Sequence, residues 1–371
     1  MNFSLSEDHL FLRDAANTFL SKEVDLAPLL VPGATIEQAG YRQMWDKLTE
    51  LGWPGIIIPE DHGGLGMSAV DLAMIVSECG RFLAPSPLFG TLAGTWAILA
   101  AGSETQKQQW LPGVAAGDYQ LSLAIAGADG DCERTNTSVQ VSARGDDYRL
   151  NGNCHYVVDA ADADKLVVAA LYNGARRFFL VDNAPAAVTI TQLDWRDITR
   201  QVCAVQLNDA RARLLDGNSS DVWPWIRDRL YLVLAAESAG GLHAVLDDTV
   251  AYAKDRIAFG RPIGAYQAIK HSLADMLAEA EFASVAVLYA AWALSSSDPA
   301  APLAAAMAQS YASDAYRSAT ARSIQIFGAI GFTWEMKNHL YFKRARANAE
   351  LLGSPQCQRE QIVKILETQH K

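Results

Sequence analysis

The chain has 371 residues, 50% of them apolar and 20% charged, with 31 basic against 42 acidic side chains and a net charge of −11. That balance excludes a disordered or collagen-like chain and a global nucleic-acid footprint, and the length calls for two or three packed units rather than one small core. A phosphate-bearing ligand must therefore be gripped locally, by an arginine or by helix ends.

In chain order, residues 1–120 carry helical apolar spacing, and Ser68 with Asp71 and Ser103 with Gln106 suit capping boxes at helix starts. Between the helices run two turn-rich links, Pro59-Glu-Asp-His62-Gly-Gly-Leu-Gly66 and Ala84-Pro-Ser-Pro87. The glycines of the first do not make a dinucleotide fingerprint, because no strand precedes them and no βαβ unit surrounds them. Residues 121–217 change texture to short β-prone runs, Ser138–Val141, Leu166–Ala170, Arg177–Val181 and Ala204–Leu207. Gly145-Asp-Asp147, Asn151-Gly152 and Asn173-Gly174 punctuate these runs as turns.

From 218 to 371 the helical period returns, with Ile269, Leu273, Met276 and Ala280 on one face. Small residues at Ala304–Ala306 and Ala308 let helices approach closely, and so apolar a bundle is expected to bury further faces in an oligomer of four chains. Cys79, Cys132, Cys154, Cys203 and Cys357 form no CxxC pair and suit reduced thiols. The amino terminus shows no secretory pattern, and the most apolar run, Phe282–Leu294, falls short of the roughly 20 residues a membrane helix needs. A cytoplasmic protein without membrane or nucleic-acid partners is expected. His62, His243, His271 and His339 lack metal-ligand spacing with one another or with the cysteines, so no metal site is expected.

The order helical, β, helical is joined by specific motifs. Leu5-Ser-Glu-Asp-His9, Leu51-Gly-Trp-Pro-Gly55 and Leu111-Pro112 before Gly117 mark the first unit. Tyr252-Ala-Lys-Asp-Arg256-Ile-Ala-Phe259-Gly-Arg-Pro-Ile263, Gln267-Ala-Ile-Lys-His271 and Gln325-Ile-Phe-Gly328-Ala-Ile-Gly331-Phe332 mark the last. Across essentially the whole chain this resembles the acyl-CoA dehydrogenase family of flavoenzymes. The resemblance implies an α+β, mainly α fold: an N-terminal helical domain, a middle β-barrel or sandwich, and a C-terminal four-helix bundle. It also implies FAD-dependent α,β-desaturation of an acyl-CoA thioester, with a glutamate removing the α-proton. By resemblance, Arg256, Phe259, Ile263, Gln267, Gln325, Gly328, Ala329 and Gly331 would meet the FAD of a neighbouring subunit. A guanidinium fork suits a doubly charged pyrophosphate better than a lysine. Ala329 stands where relatives carry a further glycine.

The catalytic half departs from the family. Where relatives have a Thr-Glu-Pro turn and then Gly-Ser-Asp, this chain reads Ala124-Ile-Ala126-Gly127-Ala-Asp129-Gly-Asp131. Where they have Trp-x-Thr facing the flavin, it reads Tyr156-Val-Val158. The usual base position is Leu352 before Gly353, and the alternative one falls at Leu230-Tyr231. A positioned base is typically worth about 10²–10⁴ in rate, and neither leucine nor tyrosine replaces a carboxylate there. Asp228, two residues and about 200° of helix away, Glu237 and Glu350 are the remaining carboxylate candidates. The pattern resembles the base-lacking subunit of bacterial heteromeric acyl-CoA dehydrogenases, best known from steroid side-chain breakdown. It implies a related partner subunit that carries the glutamate. The alternatives are a self-sufficient homotetramer with a relocated carboxylate, and a non-enzymatic interaction subunit on the same fold.

Overall fold

The computed structural model describes residues 5–134, 138–145, 147–217 and 221–369. Asp146, in one expected turn, and residue 218, at which the third unit was expected to start, lie outside them.

Five helices open the chain: α1 (Glu7–Glu23), α2 (Tyr41–Glu50), α3 (Ala69–Phe82), α4 (Leu88–Ala101) and α5 (Glu104–Ala115). Their starts are set by local chemistry. The Ser68 backbone N–H donates to Asp71 (2.9 Å) and that of Ser103 donates to Gln106 (3.0 Å), so an otherwise orphaned donor is satisfied at each helix start. The glycine-rich link holds only a short 3₁₀ turn, Glu60–His62.

The middle unit is one seven-stranded sheet of β1 (Leu121–Ala124), β2 (Val139–Arg144), β3 (Asp147–Val158), β4 (Lys165–Tyr172), β5 (Ala175–Asp182), β6 (Val188–Gln192) and β7 (Val202–Leu214). Its order is β1-β4-β5-β7-β3-β2, with β6 also paired to β7. β1 runs parallel to β4, and the other pairs are antiparallel. The described strands do not close, so of the expected barrel or sandwich the closed barrel gives way to an open sheet. Along β4 both faces are buried. Leu166, Val168 and Ala170 of β4 enter a core within the sheet layer, while Val167 and Ala169 face the helices. This two-sided burial makes the run continuously apolar rather than alternating. Asn173-Gly174 does turn β4 into β5, whereas Asn151-Gly152 lies inside β3 at a register shift.

The last unit contains α6 (Trp223–Asp255), α7 (Gln267–Ser295), α8 (Ala301–Phe327), α9 (Asn338–Glu350) and α10 (Pro355–Gln369). Three long helices thus carry two shorter ones. A two-strand hairpin, β8 (Ile257–Ala258) with β9 (Arg261–Pro262), interrupts the path from α6 to α7. α3 locks onto α6 through Gly80 and Gly240: a Cβ on Gly240 would stand 1.7 Å from the Ser77 carbonyl oxygen. Among the described residues α7 alone is long and apolar enough to cross a membrane by length and composition, more than the Phe282–Leu294 run suggested. It packs against both α6 and α8. All five cysteines are free, and all but Cys357 are buried.

Candidate functional site

A cavity of 870 Å³ opens between α4, the sheet and the α9–α10 link. Four separated stretches converge on it: Ile125 to Asp131, Tyr156 with Val158 on β3, Leu230-Tyr231 on α6, and Leu352-Gly353 after α9. These are the stretches at which the sequence departs from the acyl-CoA dehydrogenase pattern. Tyr156 and Leu352 both hold left-handed backbone, with φ of 56° and 63°, a conformation that costs energy in a residue with a side chain.

Of the three candidate carboxylates, Glu350 lines this cleft and is exposed. Asp228 is buried and bound by the Arg227 guanidinium (2.8 Å); burial raises its pKa against the pull of that charge. Arg227 also grips Glu133 (3.1 Å), which accepts the Trp223 indole N–H (3.2 Å) as well. Arg176 holds the Glu133 carbonyl at 2.8 Å, so the loop in front of the cleft is tied to both β5 and α6.

Glu237 sits deeper, between Arg200, whose Nη2 donates to both carboxylate oxygens (2.7 and 2.6 Å), and Arg344 (2.6 Å), with Asn348 donating at 3.0 Å. Burial opposes its charge, yet Arg200 and Arg344 hold its pKa below the ordinary carboxylate value. Arg344 is paired with Asp197 too, and these buried charges join the strand-linking loop before β7 to α6 and α9. Nothing in the spacing of these residues announces the network.

A second feature lies at the far end of α6. The Arg256 N–H closes the helix on the Tyr252 carbonyl (2.8 Å), and the chain then enters the hairpin. Phe259 and Gly260 form its tip with φ of 51° and 81°, and Phe259 is 97% exposed. The Arg256 side chain is exposed and has no hydrogen-bond or ion-pair partner among the described residues. The Arg256 carbonyl accepts the Ile263 N–H (2.8 Å), Tyr266 donates its hydroxyl to the Ala258 carbonyl (3.0 Å), and Arg261 lies 4.2 Å over the Tyr266 ring. Ile263 is half-buried, and Gln267 is exposed at the start of α7.

Gln325, near the end of α8, is exposed, as are Gly328 and Ala329 just beyond it. Gly328 adopts φ 71°, ψ −149°, a conformation open to glycine. Gly331 is buried, where a side chain would meet Phe327 and Ile324. The two segments share one end of the bundle: the Tyr252 ring stacks on Phe327 with centroids 4.0 Å apart, and its hydroxyl donates to the Phe327 carbonyl (3.3 Å). Sequence reasoning noticed Tyr252 only as the head of a motif.

Models of the acyl-CoA dehydrogenase N-terminal and C-terminal domains match residues 6–118 and 229–367. Acyl-CoA dehydrogenase IpdE2 of Mycobacterium tuberculosis is 33% identical over 351 residues, covering 94% of each chain. Among solved structures, the ChsE4-ChsE5 complex from Mycobacterium tuberculosis superposes with a TM-score of 0.87 at 26% identity, covering 99% of both chains. A variant of the Tcur3481-Tcur3483 steroid ACAD does so with the same TM-score, identity and coverage.

Proposed function

The chain belongs to the acyl-CoA dehydrogenase family, oxidoreductases acting on CH–CH bonds, and on that premise we propose that it is the base-lacking subunit of a heteromeric member, completing the FAD site of a related partner chain. One observation carries the reading: Leu230-Tyr231 and Leu352, which the resemblance assigns to the family's two carboxylate positions, line the cleft together, and none of them is a carboxylate.

The fit to FAD differs between the two features. The cleft sets Asp129, Asp131, Glu133, Glu350 and Glu360 against Arg134 and Lys364, Arg134 is itself paired with Asp131, and the neighbouring Arg227 is already engaged by Glu133 and Asp228. The exposed arm offers Arg256, whose guanidinium is uncommitted among the described residues, and Phe259, whose ring has almost no contact with its own chain. Those residues fit a dinucleotide held across a subunit boundary.

Bound there, FAD would supply the acceptor for the hydride leaving the acyl Cβ. Arg256 would neutralise the pyrophosphate by paired N–H donation, Phe259 would cover the cofactor's apolar side, and Gln267 and Gln325 would offer amides to the adenosine end. The partner's carboxylate would take the α-proton, and the assembly would hold two chains of each kind. Steroid-derived acyl-CoA thioesters are the proposed substrates. The support for this is the likeness to the steroid ACAD and the ChsE4-ChsE5 complex.

The test is purification of the tagged chain alone and with its co-purifying partner, with flavin counted by absorbance and by its reduction with acyl-CoA. Two flavins per four chains and no turnover by the chain alone are expected. A second reading rests on Glu350, the candidate carboxylate that lines the cleft. If the chain alone is yellow and active, and Glu350→Gln abolishes that activity, the self-sufficient enzyme replaces the half-site.

A further inference from the structure

We infer that Tyr252 is the positioning residue that fastens the 256–267 arm and the 325–331 turn into one rigid FAD-facing surface; this rests on the reading above that both segments serve the cofactor. α6 exits into the hairpin and α8 passes at Gly328 into a short 3₁₀ turn, Gly328–Phe332, and a helix end leaves its last carbonyls without partners in the helix. Both exits also take backbone conformations that side chains disfavour, at Phe259 (φ 51°) and at Gly328 (φ 71°). Separately anchored, they would fray separately.

One residue serves both. The Tyr252 carbonyl accepts the Arg256 N–H at 2.8 Å, the backbone bond that closes α6 whatever the side chain at 252, so the arm leaves α6 one turn beyond the Tyr252 ring. Its hydroxyl donates to the Phe327 carbonyl at 3.3 Å, the residue before Gly328, which fixes where the turn leaves α8. The near-parallel stack of the two rings, 12° apart in orientation, sets the spacing between the helix ends. Tyr266 plays a different part: its bond to Ala258 and its ring under Arg261 shape the arm internally and do not reach the turn.

A ligand gripped at its pyrophosphate by one segment and at its adenosine by the other gains from having the two held in register beforehand, because less order must be imposed on binding. Tyr252 touches neither end. It acts through Arg256 and the turn.

The experiment uses the flavin-containing assembly isolated through this chain, stripped of flavin and titrated with FAD by fluorescence quenching. Tyr252→Leu is expected to weaken FAD about tenfold, and Tyr252→Phe, which keeps the ring and loses the hydroxyl, about two- to threefold. In an Arg256→Ala background, Tyr252→Leu is expected to add less than about twofold, since residues acting through one contact are not additive.

Wild-type affinity in Tyr252→Leu, or losses that multiply with Arg256→Ala, would overturn the inference. If Tyr252→Leu does not fold, Tyr252→Phe decides, and unchanged affinity there overturns it. Arg256→Ala without effect on FAD sinks the reading of the arm itself. Arg256→Ala weakening FAD while the Tyr252 variants are silent sinks only the role of Tyr252.

Discussion

Arg344 is almost wholly buried and is answered by two carboxylates, Asp197 and Glu237. Removing one partner of such a group strands a charge away from water, so Arg344→Met should cost about 3–5 kcal/mol, read as a lower urea midpoint. Asp159 behaves in the opposite sense. It accepts the Tyr41 hydroxyl and the Gly90 N–H, both at 2.9 Å, and burial lifts its pKa from 3.8 to about 6. The folded protein therefore keeps this proton longer than the unfolded chain does. Its contribution to stability is present below about pH 4 and lost as pH rises through about 6, a change of about 3 kcal/mol. Urea midpoints across that window should show a downward component that Asp159→Asn removes. Glu237 was visible in the sequence as a carboxylate, but its guanidinium partners lie 37 and 107 residues away, and no local spacing connects them.

At the scale of elements, backbone approach decides more than side-chain pattern does. The contact of α3 with α6 leaves no room for a methyl group at Gly240, so Gly240→Ala should destabilise by about 1–3 kcal/mol despite alanine's better helix propensity, again by urea denaturation. The arm offers the converse test. Asparagine tolerates the left-handed tip that Phe259 occupies, so Phe259→Asn should keep the hairpin and weaken FAD retention, measured as flavin per purified assembly. The two Asn-Gly dipeptides show what was legible and what was not. Asn173-Gly174 fits a two-residue hairpin and was read as one. Gly152 instead lies where a Cβ would meet the Ser138 carbonyl oxygen at 1.9 Å, so its glycine answers the neighbouring strand, information the dipeptide does not carry.

Across the whole molecule, the unit order and the motifs of the last unit were readable because they are contiguous in sequence. The cleft was readable only as a list of departures. That those departures line one cavity emerges from the sheet and the α9–α10 link folding together. Sheet closure was not readable, since a continuously apolar strand is equally compatible with a barrel or with an open sheet under helices. If the arm works between chains, Arg256→Ala should lower flavin per assembly severalfold while leaving the far-ultraviolet circular dichroism of this chain unchanged.

Phe259 stands 97% clear of its own polypeptide, so that polypeptide's fold gains almost nothing from keeping it. A codon change there would pass unnoticed in any screen that scored only solubility or melting of the isolated subunit. If the arm works between chains, the penalty would surface in the partner chain's cofactor site. On that reading, random mutagenesis of this chain should be scored on the flavin content of the whole assembly, where loss at the hairpin tip registers.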